Sequence, residues 1–273
     1  MGDLAVGLDP GVPDPIRMFV AERVAPVFAD LGRLLAAPRD AEGRGFEAVI
    51  LPSLFALLNA LSRVFFHSAT GERQSFMAIA ERYPAGDEPA HAIKDPRLFA
   101  DALYAHYGAS LLHGLGLHMK RDGRYEPWRI APVRVQGREL RLGVERLRAL
   151  SSGGEALLAG LDAESGWPTG VGPTLTLTTD SLRLELDAFY CGLRRLVRRL
   201  AEDKDLWPGA LAVLAPWYAA TLQSQDERAE AILGGDAAAG GSTSRPMAGG
   251  SASRDGSEHE VLRFAKGGGL TTR

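Results

Sequence analysis

The sequence predicts a mainly α-helical protein, a helical bundle with a small antiparallel β-hairpin or sheet inserted into it. Three observations predict this class. Apolar residues recur at helical spacing over long stretches, most plainly Ile16 to Leu35, Leu51 to Phe65 and Leu182 to Leu200. The pattern switches to strict alternation only between residues 129 and 178. Hydrophobic residues make up 45% of the 273, ample for one buried core. The chain therefore divides into a flexible lead (1–13, rich in Gly, Pro and Asp), a single domain (14–232) and a disordered low-complexity tail (233–273).

Taken in order, Asp14-Pro15 opens a first helix that runs to about Ala37, bent at Pro26 because proline removes one internal hydrogen bond and crowds the preceding turn. Phe46 to His67 is apolar nearly all round, which predicts a central helix, with Pro52 kinking it or marking its true start. A short helix spans Glu72 to Arg82 and ends at Tyr83-Pro84. Asp95 caps and Pro96 opens a longer helix to Lys120, whose stripe Phe99, Leu103, Tyr107, Ser110, Gly114 and Leu117 has His106 and His113 along its edge. Arg129 to Val135 and Arg138 to Val144, joined by Gln136-Gly137, alternate as a β-hairpin. Glu145 to Gly160 reads as one more helix, broken at Ser151 to Gly154, and Thr174 to Thr178 as a strand that joins the hairpin. Asp180 then caps a helix from Ser181 to about Glu202, followed by another from Trp207 to about Ile232, bent at Pro216.

Charge and composition exclude several classes. A net charge of −3 and a pI near 6.1 give no general attraction to polyanions, so nucleic-acid contact requires a local basic face. One cysteine, Cys191, excludes an internal disulfide and a multi-cysteine zinc site, and fits a reducing cytoplasm. It reads as a surface or interface cysteine. No basic segment precedes an apolar core at the N-terminus, so no secretory signal is expected. The longest apolar run, AVILPSLFALLNAL, is about 14 residues, short of the roughly 20 a membrane span needs. His106, His113 and His118 lack metal-ligand spacing, so neither a metal nor a cofactor is expected. The glycines at 235–241 imitate a phosphate loop but lack its Lys.

The stretch LYAHYGASLLHGLGL resembles the third-helix signature of bacterial HEPN-like proteins, an all-α superfamily in which an Arg four to six residues before a His forms an RNA-cleaving or nucleotide-binding site. The likeness extends as a general layout over roughly residues 15 to 205. It implies His113 as the catalytic proton carrier, whereas the positions expected to hold the Arg carry Tyr107, Gly108 and Ala109. Arg121 and Arg124 follow the His and are the nearby phosphate-binding candidates. Active relatives assemble the site across a symmetric dimer, so the resemblance also implies a homodimer. Apart from it, Arg194, Arg195, Arg198 and Arg199 form the one patch able to engage RNA phosphates, unless Glu185, Asp187, Glu202 and Asp203 neutralise it as part of a solvated face. The leading expectation is a non-catalytic HEPN-like protein that binds RNA, a nucleotide or a protein partner. A metal-independent ribonuclease using His113, and a helical interaction module with no nucleic-acid role, are the alternatives.

Overall fold

A computed structural model describes residues 7–41, 45–67, 71–88, 93, 95–108, 111, 116–121, 123–127, 133–135, 137–146 and 171–239. Helices α1 (Asp14–Phe19) and α2 (Ala25–Ala36) are separated by a π-helical turn, Val20–Val24. This is the form taken by the break expected at Pro26. Proline has no N–H to donate, and the chain absorbs an extra residue just before it, with the Ala25 amide bonded to the Val20 carbonyl. Residues 7–13, expected to be part of a flexible lead, bury Leu8 and Val12 and are tied down by Arg17, which donates to the carbonyls of Asp9, Pro10 and Val12.

Helix α3 (Glu47–Phe65) is the core helix that its composition demands: Ile50, Leu51, Leu54, Phe55, Leu58 and Leu61 are all fully buried. Its 19 residues include a window of mean hydropathy 1.8, which by length and composition would suffice to cross a bilayer, and 56% of that window is buried inside the fold. The helix is longer than the 14-residue run because it also takes in Glu47 before it and Ser62, Arg63, Val64 and Phe65 after it. Phe55 packs on Phe189 at 5.1 Å and on Phe76 at 6.4 Å, joining α3 to α4 (Glu72–Ala80) and to the later helix α6 (Leu186–Glu202).

The expected Asp95–Lys120 helix is shorter than its periodicity predicts. Asp95 does cap α5 (Pro96–Ala102), accepting from the Leu98 amide at 2.8 Å, but a π-helical segment follows at Leu103–Gly108, and by Leu117–Met119 the chain is strand β1. The π-turn changes the angular step between residues, so a stripe drawn at 100° per residue cannot continue past it. Gly116, with φ +135°, takes a conformation closed to other residues at the start of the strand. Tyr107, on the π segment, brings its hydroxyl to 2.8 Å from the Leu182 carbonyl and 3.0 Å from that of Gly143. Tyr107→Phe leaves these buried acceptors short of a donor and is expected to lower stability by about 1–2 kcal/mol, measured by urea unfolding.

The sheet is mixed rather than a simple antiparallel insertion. Strands β2 (Tyr125–Pro127), β3 (Val133–Val135), β4 (Arg138–Glu145), β5 (Leu175–Leu177) and β6 (Ser181–Glu185) join β1 in the order β1-β2-β4-β6-β5, with β3 also on β4. The predicted hairpin is present at β3–β4, in register Val133↔Leu140, and turns through Gly137 at φ +78°; its residues 129–132 lie outside the described ones. β4 runs parallel to β6, pairing Leu142↔Leu182 and Glu145↔Glu185. The helix expected from Ser181 thus begins only at Leu186, since Leu182 and Leu184 are buried at period two, as strand neighbours of β4. The helix expected over 145–160 falls mostly outside the described residues; Glu145 itself closes β4.

Two compact units divide the chain, Met1–Gln225 and Asp226–Arg273. The last helix, α7 (Trp207–Ala239), contains Pro216 and extends beyond Ile232, where the sequence pattern ends it.

Candidate functional site

Parallel pairing brings the carboxyl ends of β4 and β6 together at Glu145 and Glu185, and the chain places Arg146 just after the first and Asp187 two residues after the second. Glu47, in the first turn of α3, completes the crossing. The Arg146 Nε atom is 3.5 Å from Asp187 Oδ1, and its Nη1 is 3.7 Å from Glu47 Oε1. These three side chains are 3%, 0% and 3% exposed. Arg39, 38% exposed, donates to Glu47 Oε1 at 2.6 Å from the solvent side. Neither α3 nor α6 has a side-chain cap, and Glu47 and Asp187 set their negative charge at the positive ends of those helices.

The crossing is an ion cluster whose hydrogen bonds are incomplete. Among the described residues, the three Arg146 guanidinium nitrogens, both Asp187 carboxylate oxygens and Glu47 Oε2 are buried with no hydrogen bond of good geometry, Arg146 and Asp187 facing each other only as an ion pair. Burial pushes the Asp187 carboxyl up to about 7, against the pull of Arg146. On the neighbouring face of the strands, Glu145 pairs with Arg183 at 3.0 Å and with Arg124 at 3.6 Å. Burial, then the charge of Glu145, pushes Glu185 up to about 7.

A second buried cluster is fully bonded. Thr174 donates its amide and its hydroxyl to the two oxygens of Glu88, and the Tyr83 hydroxyl lies 2.6 Å from Thr174 Oγ1 and 3.2 Å from the Ala188 carbonyl. It staples the loop after α4 to the start of β5 and to α6. Burial raises Glu88 to about 7 from 4.5, with Asp87 adding repulsion and Thr174 opposing. The folded state therefore holds this proton more tightly than the unfolded chain. Its contribution is intact below about pH 4.5 and is lost as pH rises through about 7, on the order of 3 kcal/mol. Urea unfolding should show stability falling over that window, and Glu88→Gln should flatten the fall.

The residues singled out in the sequence are placed as follows. His113 lies outside the described residues. Gly108 is buried, with the position of an added Cβ 3.4 Å from the Phe55 ring. His106 is on the π segment and His118 on β1, so they do not share a helix. Arg121 is exposed after β1, and Arg124 pairs with Glu145. The α6 arginines do not form one open patch. Arg194 is 6% exposed, reaches the Tyr190 hydroxyl at 3.3 Å and lies over the rings of Phe28 and Tyr190. Arg195 and Arg199 meet Asp87, while Arg198 meets Glu202 and the Gly7 carbonyl. Glu202 thus neutralises part of the face as anticipated; Asp203 pairs instead with Arg82, and Asp187 with Arg146. Cys191 is buried, not at the surface, and its thiol is pushed up to about 12, because the helix is enclosed on the side opposite its leucines as well.

Sequence reasoning passed over Arg146, Asp187 and Glu47 as a site. The signal available was a charge set inside an apolar run, as in Leu-Asp-Ala-Phe at 186–189 and Phe-Glu-Ala-Val at 46–49. Among known proteins, the chain matches no family model, no curated protein and no solved structure at a significant level.

Proposed function

We propose that the protein is a non-catalytic HEPN-like protein that acts by binding, with a nucleotide or RNA as its ligand. The observation that supports this reading is the Arg146–Asp187–Glu47 crossing, a buried ion cluster with incomplete hydrogen bonding at the carboxyl ends of two parallel strands, the end at which open sheets hold ligands. Gly108 supports binding over cleavage. The motif calls for a phosphate-holding Arg in that neighbourhood, and this residue offers no side chain and packs toward Phe55. A homodimer and a cytoplasmic setting belong to the same proposal, the first from the family resemblance and the second from a lone, buried cysteine.

Mixed RNA incubated with purified protein in EDTA is expected to remain intact, while filter binding shows retention that weakens with added salt. Cleavage by the wild type that disappears in His113→Ala would make the protein a ribonuclease and overturn this reading. Absence of both cleavage and binding would leave the interaction module in its place.

A further inference from the structure

An open cleft of about 840 Å³ runs between α4 and α5, within the size range of ligand sites. The two helices are antiparallel along it. Arg73, at the start of α4, reaches Asp101, near the end of α5, at 3.4 Å, and lies over the ring of Tyr104 just beyond. That ion pair closes one end. Glu81, Asp95 and Arg97 line the other, where α4 finishes and α5 begins. Between the two ends lie Met77 and Leu98, partly buried and packed on the core, a floor for aliphatic surface to which the methionine can adapt its shape.

Charge defines the guest. Asp95 is committed in part, since its Oδ1 accepts from the Leu98 amide at 2.8 Å, but Glu81 and Arg97 are exposed and meet no ionic partner among the described residues. Three carboxylates against two guanidiniums disfavour a polyanion, so this cleft is not a further surface for phosphates. A simple cation is repelled by Arg97, and a simple anion by Glu81 and Asp95. An ammonium and a carboxylate carried side by side satisfy both and add no net charge. We propose that the cleft binds a free α-amino acid with a long aliphatic side chain. Glu81 takes its ammonium and Arg97 its carboxylate, in the planar fork of the guanidinium, while the side chain lies on Met77 and Leu98 toward Gln74. Roughly 12 Å of helix separates Glu81 from Arg73, which leaves room for such a side chain before the Arg73–Asp101 pair ends the cleft. The site is separate from the Arg146 crossing and does not depend on nucleotide or RNA binding.

The test is an NMR titration of the isotopically labelled full chain with three probes: norleucine, pentylamine, which is norleucine without its carboxylate, and hexanoate, which is norleucine without its ammonium. Amide shifts are expected at α4 and α5, with norleucine binding about fivefold more tightly than either fragment, the discrimination that an exposed ion pair supports. Glu81→Gln should weaken norleucine binding about fivefold and leave hexanoate no weaker, and Arg97→Gln should weaken it similarly and leave pentylamine no weaker. Both residues are exposed, so each variant should keep a native circular dichroism spectrum. Matching each charge removed from the probe with the charge removed from the protein separates direct contact from a change in fold. Norleucine binding no tighter than its fragments, indifference to both substitutions, shifts centred outside α4 and α5, or no binding at all would each overturn the inference. All of these outcomes leave the proposed function to its own test.

Discussion

Gly192→Ala is expected to destabilise the protein by about 3 kcal/mol or more, seen as a fall of roughly 6–12 °C in the thermal midpoint. A Cβ at this position of α6 would fall inside the volume of the Tyr83 hydroxyl and ring. Tyr83 cannot retreat, because its ring stacks on Phe99 at 4.9 Å and lies 6.0 Å from Phe189. Moving it also separates its hydroxyl from Thr174, the residue that both oxygens of the buried Glu88 depend on. Overpacking and loss of the staple therefore act together. A double-mutant cycle isolates the cause: Tyr83→Ala alone removes a large buried ring, and in the Tyr83→Ala/Gly192→Ala protein the clash is gone, so the two losses should sum to clearly more than the observed one. Strict additivity would show that Gly192 matters for some reason other than the approach of Tyr83.

That contact also marks the limit of what the sequence discloses. Helix α3, helix α4 and the β3–β4 hairpin were legible because each is specified by local periodicity and local turn chemistry, down to the turn through Gly137. Strand β6 was not, because Leu182, Leu184 and Leu186 serve a two-residue period as well as a helical one, and only non-local pairing with β4 selects the strand. The two π segments were equally hidden, since an inserted residue leaves composition unchanged and merely rotates all that follows. Among site residues, the α6 arginines looked like one face by spacing, yet Arg194 turns into the rings of Phe28 and Tyr190 and the others are claimed by Asp87, Glu202 and Gly7. The partners that decide this lie on distant segments. The Arg146 crossing was invisible for the same reason: three elements far apart in the chain supply its charges, and neither a motif nor a period connects them.

Arg146→Met should cost about 3–5 kcal/mol at pH 8, because it removes the cation and leaves two buried carboxylates facing each other's field without it. The loss should shrink at pH 5. The Asp187 carboxyl is already pushed up to about 7 with Arg146 present, and taking Arg146 away removes an influence that lowers it, so the variant holds Asp187 neutral over more of the acidic range. Sign and window follow: wild type and variant both lose stability as pH rises through the Asp187 titration, and the variant loses more, so the gap between them opens from acid toward pH 8. Urea unfolding of both proteins at the two pH values measures this gap directly. A gap that is the same at pH 5 and pH 8 would show that Arg146 acts through the packing of its aliphatic stem rather than through its charge. Neutralising the carboxylates as well, in Arg146→Met/Asp187→Asn/Glu47→Gln, should recover much of the loss at pH 8, since a crossing without charges has no unpaired ion to bury.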